Sequence, residues 1–179
     1  MMFRLIAALA VAALSCSGAA AQGAKPTDPQ IAHIAYTAGE IDIEAAQLAL
    51  RKSRNKDVRT FAEDMLRDHK AVNEKALALV KKLNVKPEDN DTSRALRKQA
   101  SETKASLRRL RGQAFNTAYA EHEVAYHKAV NEALQNTLIP AASNPELKDL
   151  LTTGLEIFRG HQQHAEQVVH ALKNRSSKR

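Results

Sequence analysis

Apolar residues in this chain recur every three to four positions over stretches of about 25 residues, and nowhere do they alternate with a period of two. Start and stop signals punctuate those stretches. Asp28-Pro29 places an N-cap residue before a proline at the first helical position. Ile31, Ile34, Ala35, Ala38, Ile41, Ala45, Leu48 and Ala49 follow at helical spacing, and the pattern stalls at Ser53-Arg54-Asn55. A second stripe runs through Val58, Phe61, Ala62, Met65, Leu66, His69, Val72, Ala76, Leu79 and Leu83, and stops near Asn84 and Pro87. Thr92 or Ser93 is expected to cap a shorter helix through Leu96, Ala100, Leu107 and Leu110, interrupted at Gly112. Phe115, Tyr119, Ala120, Val124, His127, Val130 and Leu134 form the next stripe, which Pro140 ends. Asn144-Pro145 repeats the cap-plus-proline start before Leu147, Leu151, Leu155, Phe158, His161, Ala165, Val168 and Leu172.

An amphipathic helix cannot bury its stripe alone, so four long ones are expected to form a four-helix bundle. The connection between Asn84 and Arg111 is too long for a tight turn. Its own helix reaches roughly 25–30 Å, about the length of the bundle. A single long crossover between the second and third main helices is the ferritin-like arrangement, and an up-down-up-down bundle carrying a decorative helix is the other option. The fold class read here is therefore all-α, a ferritin-like four-helix bundle with an extra short helix in the crossover.

Residues 1–21 read as an export signal: Arg4, a short apolar run from Leu5 to Leu14, and Ala19-Ala20-Ala21 before Gln22. The run falls short of the roughly 20 residues that span a bilayer. The bundle would then occupy residues 22–173, with a basic tail at 174–179. The expected location is the periplasm. Cys16, the single cysteine, offers a second route, because Ala13-Leu14-Ser15-Cys16 loosely matches a lipoprotein box, and only lipidation there would tether the chain to a membrane. The formal net charge is +7. Basic residues gather between Arg94 and Arg111 and again from Lys173 to Arg179. Such faces suit an anionic component of the cell envelope, or are simply solvated. Aromatic residues make up 4% of the chain and Trp is absent, so base-stacking platforms are poorly supplied and no nucleic-acid partner is expected.

Polar residues on the buried stripes meet at one level. Midpoints taken from the caps fall at about residues 41, 69, 126 and 159. His69, His127 and His161 lie within about 5 Å of a common height at 1.5 Å per residue. Glu40 and Glu44 flank the first midpoint, and Glu123 shares a face with His127 at i, i+4. Imidazoles with carboxylate partners are the donor set of a transition-metal site such as Zn, Cu or Fe. The candidate ligands are Glu44, His69, Glu123, His127 and His161. The same residues could equally form a buried hydrogen-bonded network that sets helix register. His33, His122 and His170 read as surface residues. The Glu-x-x-His repeat of di-iron carboxylate bundles is absent, so ferroxidase or oxygenase chemistry is not expected. No phosphate-binding loop, His-Glu-x-x-His or Gly-x-Ser-x-Gly occurs, and no motif supports catalysis.

Val58-x-x-Phe61-Ala62-x-x-Met65-x-x-Asp68-His69, Phe115-Asn116 through Tyr119 with His127, and Phe158-Arg159-Gly160-His161 together resemble the exported, ferritin-like domain of unknown function 4142 family. Ile43 through Ala49 fits as well. The resemblance implies a ferritin-like bundle exported in a Gram-negative bacterium, with recurring histidines at His69, His127 and His161. It departs from the family at Asn116 and Tyr126, each standing where a carboxylate is frequent. The expected role is a periplasmic metal-binding or envelope-stress protein. The alternative is an interaction module whose basic faces bind envelope components while the histidines are architectural.

Overall fold

A computed structural model describes residues 25–176, all of whose regular structure is helical. The segment read as an export signal, Cys16 and the end of the segment read as a basic tail lie outside the described residues. The long helices are α1 (Asp28–Lys52), α2 (Lys56–Lys82), α3 (Asp91–Arg109), α4 (Gly112–Ala133) and α6 (Pro145–Ser176). Between the last two, a π-turn at Leu134–Leu138 leads into a single turn, α5 (Ile139–Ala141). Pro140 accounts for the widening, since it has no N–H to offer and its ring crowds the carbonyl four residues back.

The ends are set by side-chain caps. Asn55 accepts from the Val58 amide at 3.1 Å to start α2, and Asn144 accepts from the Leu147 amide at 3.0 Å to start α6. Two caps differ from expectation. Asn90, rather than Thr92 or Ser93, caps α3, accepting from the Ser93 amide while the Ser93 hydroxyl accepts from the Asn90 amide. Thr27 rather than Asp28 precedes α1, which frees the Asp28 carboxylate to accept from the Ser143 and Asn144 amides at 2.8 Å each. α6 also runs through Ser176, so the first residues read as a tail are helical.

Contacts at the ends give the helix directions. Asn90 donates to the Gln30 carbonyl, and Lys52 donates to the Arg108 carbonyl at 2.7 Å, so α3 runs alongside α1 in the same direction. α4 starts at the far end, where Ser53 donates to Asn116 at 2.7 Å, and descends. The Asp28 contacts bring its end back to the near end, and α6 climbs until Arg175 meets Asp57 at 2.9 Å. The α3 segment is thus a crossover along the full length of the molecule. No described helix is long and apolar enough to cross a membrane.

The core is split in two. Far-end residues Val58, Phe61, Met65, Phe115, Tyr119, Val168 and Leu172 pack together from α2, α4 and α6, with Ala46 and Leu48 from α1. Near-end residues Ile31, Ile34, Leu134, Leu138, Leu147, Leu151 and Phe158 form the second cluster. The near-end half is incompletely filled. A cavity of about 810 Å³ runs through it, with Ala35, Ala38, Ala76 and Ala129 in its lining.

Gly39 fixes how closely α1 and α2 approach. A Cβ there would collide with three atoms of the Asn73 amide, which is held by Glu40 at 2.9 Å. Alanine gains about 1 kcal/mol of helix propensity over glycine, but overpacking costs about 1–3 kcal/mol and the Asn73 hydrogen bond about 1 kcal/mol more. Gly39→Ala is therefore expected to lose about 1–3 kcal/mol of stability in urea denaturation. Adding Asn73→Ala should recover part of it. A Gly39→Ala protein as stable as the parent would overturn this account.

Candidate metal centre

The two apolar clusters are separated by a layer of titratable side chains. Descending α2 passes from Met65 to His69 and then Val72. α4 passes from Tyr119 to Glu123 and His127, then Leu134. α6 climbs from Phe158 to His161 and then Ala165. α1 supplies Asp42, between Gly39 and Ala46. Burial is nearly complete, with 3% of Asp42, 1% of Glu123 and none of His127 exposed.

His69, His127 and His161 each offer one donor atom such that all three atoms lie within 4.8 Å of one another, and Asp42, Glu123 and His127 do the same. His69 Nε2 is 3.3 Å from Asp42 Oδ2, and His127 Nε2 is 3.9 Å from the same oxygen. Glu123 Oε2 lies 3.6 Å from His127 Nδ1. The His69 ring stacks on Phe158 at 4.6 Å between centroids, which holds its orientation from the near-end side.

Two of the imidazoles have assigned tautomers on chemical grounds. His127 Nδ1 lies 3.0 Å from the Glu123 carbonyl oxygen, which can only accept, so this nitrogen carries the proton. His161 Nε2 lies 3.0 Å from Asp68 Oδ2 and donates to it in the same way. The opposite nitrogens, His127 Nε2 and His161 Nδ1, then present lone pairs. Both are buried without a hydrogen-bond partner, as are both nitrogens of His69 and both carboxyl oxygens of Glu123. Asp68 is itself held by Arg67 at 2.7 Å. Partial burial works against ionisation of Asp68, but the bonds from Arg67 and His161 outweigh it and keep the carboxyl below its usual range.

Burial sets the charge of the layer. It pushes His69, His127 and His161 down to about 4. It pushes Asp42 upward, partly offset by His127, and Glu123 well upward, with the Asp42 charge adding to the effect. At neutral pH the imidazoles are neutral, and burial beside Asp42 favours the protonated form of Glu123. Tyr119 and Tyr126 are raised by burial and by the same two carboxyls. Tyr126 donates to the Ala38 carbonyl at 3.0 Å, while the Tyr119 hydroxyl is buried without a partner.

The structure thus brings together His69, Glu123, His127 and His161 of the residues singled out from sequence. It does not bring Glu44, which is exposed and paired with Lys104 of α3. Asp42 occupies the place expected of it, and periodicity missed Asp42 because α1 is flanked by α2, α3 and α4 and buries residues around much of its circumference. Its spacing of four from Ala46 and three from Gly39, both buried, was the available signal. Glu40 bonds Asn73, and His164 lies outside the layer, 3.6 Å from Asp64 and edge-on to Phe61. Of the histidines read as surface residues, His170 is exposed, whereas His33 and His122 are half-buried. Asn116 and Tyr126 each make a structural hydrogen bond of their own.

The family model for a domain of unknown function, DUF4142, matches residues 13–168. The chain belongs to the DUF4142 family. No curated protein and no solved structure matches it. The match covers every member of the polar layer, and the family description assigns none of them a role.

Opposed titrations should shape stability. Unfolded histidines take up protons below about pH 6.5 and the folded ones resist until about 4, so stability falls as pH drops through that window. Unfolded glutamate loses its proton above about 4.5 and folded Glu123 retains it, so stability falls as pH rises toward the folded value. Above about pH 6.5 only the carboxyl effect remains. With chelator present, the melting temperature is expected to decline as pH rises above about 6.5. Glu123→Gln should flatten that decline and leave the acid side in place. An unchanged alkaline decline in Glu123→Gln would remove Glu123 as its source.

Proposed function

We propose that this protein is an exported, ferritin-like four-helix bundle that binds a transition-metal ion in its central polar layer. His69, His127 and His161 would be the nitrogen ligands, with Asp42 and Glu123 supplying carboxylate oxygen and charge balance. The observation that carries the reading is the pair of buried, partnerless lone pairs on His127 Nε2 and His161 Nδ1. Each faces away from a nitrogen whose proton is held by a fixed acceptor. That is the outer-shell pattern that orients metal-binding histidines and raises their basicity. A purely architectural network would use those lone pairs instead of leaving them orphaned, because an unsatisfied buried polar atom costs about 1–3 kcal/mol.

The donor set suits Zn, Cu or Fe, since imidazole favours all three. The ion would supply positive charge against which Glu123 could give up its proton, so binding should release protons and weaken as pH falls. The topology supports the ferritin-like reading: two antiparallel helix pairs, α1 with α2 and α4 with α6, are joined by one lengthwise crossover. The role is binding and retention of the ion, as no substrate-positioning motif accompanies the layer.

Metal analysis of the untagged mature protein, after supply of Zn, Cu or Fe, is the direct test. One ion per chain is expected, lost in His127→Ala while circular dichroism shows the helices intact. Asp68→Asn, which alters only the partly exposed acceptor of His161, should weaken affinity about 10–100-fold. Parent protein that takes up none of the three metals would refute the proposal and leave the layer as an architectural network.

A further inference from the structure

The fold gathers basic residues that lie far apart in sequence. At the far end meet the α1–α2 turn (residues 51–59), the α3–α4 turn (108–113) and the end of α6 (173–176). These stretches contain ten basic residues and one acidic one, Asp57, which is bound by Arg175. At the near end, residues 25–31, 81–91 and 138–149 contain five basic residues and six acidic ones. The molecule is therefore strongly positive at one end and close to neutral at the other.

Elsewhere three cations of the crossover are occupied. Arg94 binds Asp89 and Asp91, Arg97 binds Asp89, and Lys104 binds Glu44. At the far end, Arg51, Arg54, Lys56, Arg108, Arg109 and Arg111 are outward-facing, and none makes an ion pair among the described residues. Residues that merely solvate a helix face are usually interleaved with opposite charge. This end is not interleaved, and it leaves like charges facing one another across two short turns. Such repulsion is relieved by an anionic partner.

We propose that the far end is a contact surface for a bilayer bearing anionic phospholipid headgroups. The surface is built from helix ends and short turns, a blunt cap rather than a cleft, so it fits a plane of charge. It carries no exposed aromatic residue on which bases could stack and no long helix face to lie in a groove. Attraction would be short-ranged, within about 8 Å at physiological ionic strength. It would orient the long axis of the molecule across the membrane plane and hold the metal layer away from the lipid.

The test is co-sedimentation of the mature chain with vesicles of phosphatidylcholine containing about 30% phosphatidylglycerol, beside vesicles of phosphatidylcholine alone. Binding is expected only to the first, and it should weaken steeply as salt is raised. Replacing Arg54, Arg108 and Arg111 by Gln should lower affinity about a hundredfold. Replacing Lys81 and Lys86 at the near end should change it little. Helical content of each variant is checked by circular dichroism. Equal binding to both vesicles, no binding to either, or equal losses from the two variants would overturn the proposal. So would tighter binding of a short DNA duplex at the same salt, which would assign the surface to nucleic acid.

Discussion

Taking charge out of water in the middle of an apolar core is the constraint around which this protein is organised. An unpaired buried carboxylate is prohibitive, and a buried imidazolium only somewhat less so. The fold meets the constraint by placing donors from α1, α2, α4 and α6 at one height, by keeping the imidazoles neutral, and by strengthening the hold of Glu123 on its proton. Every long core helix contributes to the layer, so sliding any one by a turn would strand a polar group in hydrocarbon. Register across the whole assembly is tied to this layer more firmly than to the Leu and Ile contacts above and below it, which tolerate substitution of similar volume.

Much of this was legible in the sequence. Capping residues and helical periodicity locate the long helices, and Pro140 locates the break after the fourth. Helices spanning a common length share a centre whichever way they run, which puts His69, His127 and His161 at one height. Asp42 was not legible. The angular position of a residue can be read only on a helix with one wet face, and α1 has neighbours on three sides. Glu44, two residues and about 200° away, is the price of reading a stripe where burial is nearly all round. Nor could the sequence show that Arg51 to Lys56 join Arg108 to Arg111, because chain proximity says nothing about which turns share an end.

The two halves of the core differ in kind. The far-end half holds Phe61, Phe115 and Tyr119 in ring-to-ring contact and is filled. The near-end half is lined largely by alanine and branched aliphatic side chains and borders a partly open cavity. Phe158 stands at the boundary, stacked on His69 and lining the cavity. The polar layer therefore has a rigid floor on one side and a compressible one on the other.

The crossover helix has a separate consequence. α3 fully buries only Ser93 and Leu107 and packs Leu96 half-buried against the near-end cluster, and ion pairs and caps at the surface supply most of its remaining grip. Segments with few buried apolar side chains are the first to open, with free energies well below that of global unfolding. The chain thus divides into a slowly exchanging body of four helices and a strap that can lift from α1 without disturbing them. Lifting it breaks the Lys104–Glu44 pair and bares the face of α1 that carries Glu44, about 200° around the helix from Asp42. Amides of the strap would then exchange with solvent ahead of those in α1, α2, α4 and α6.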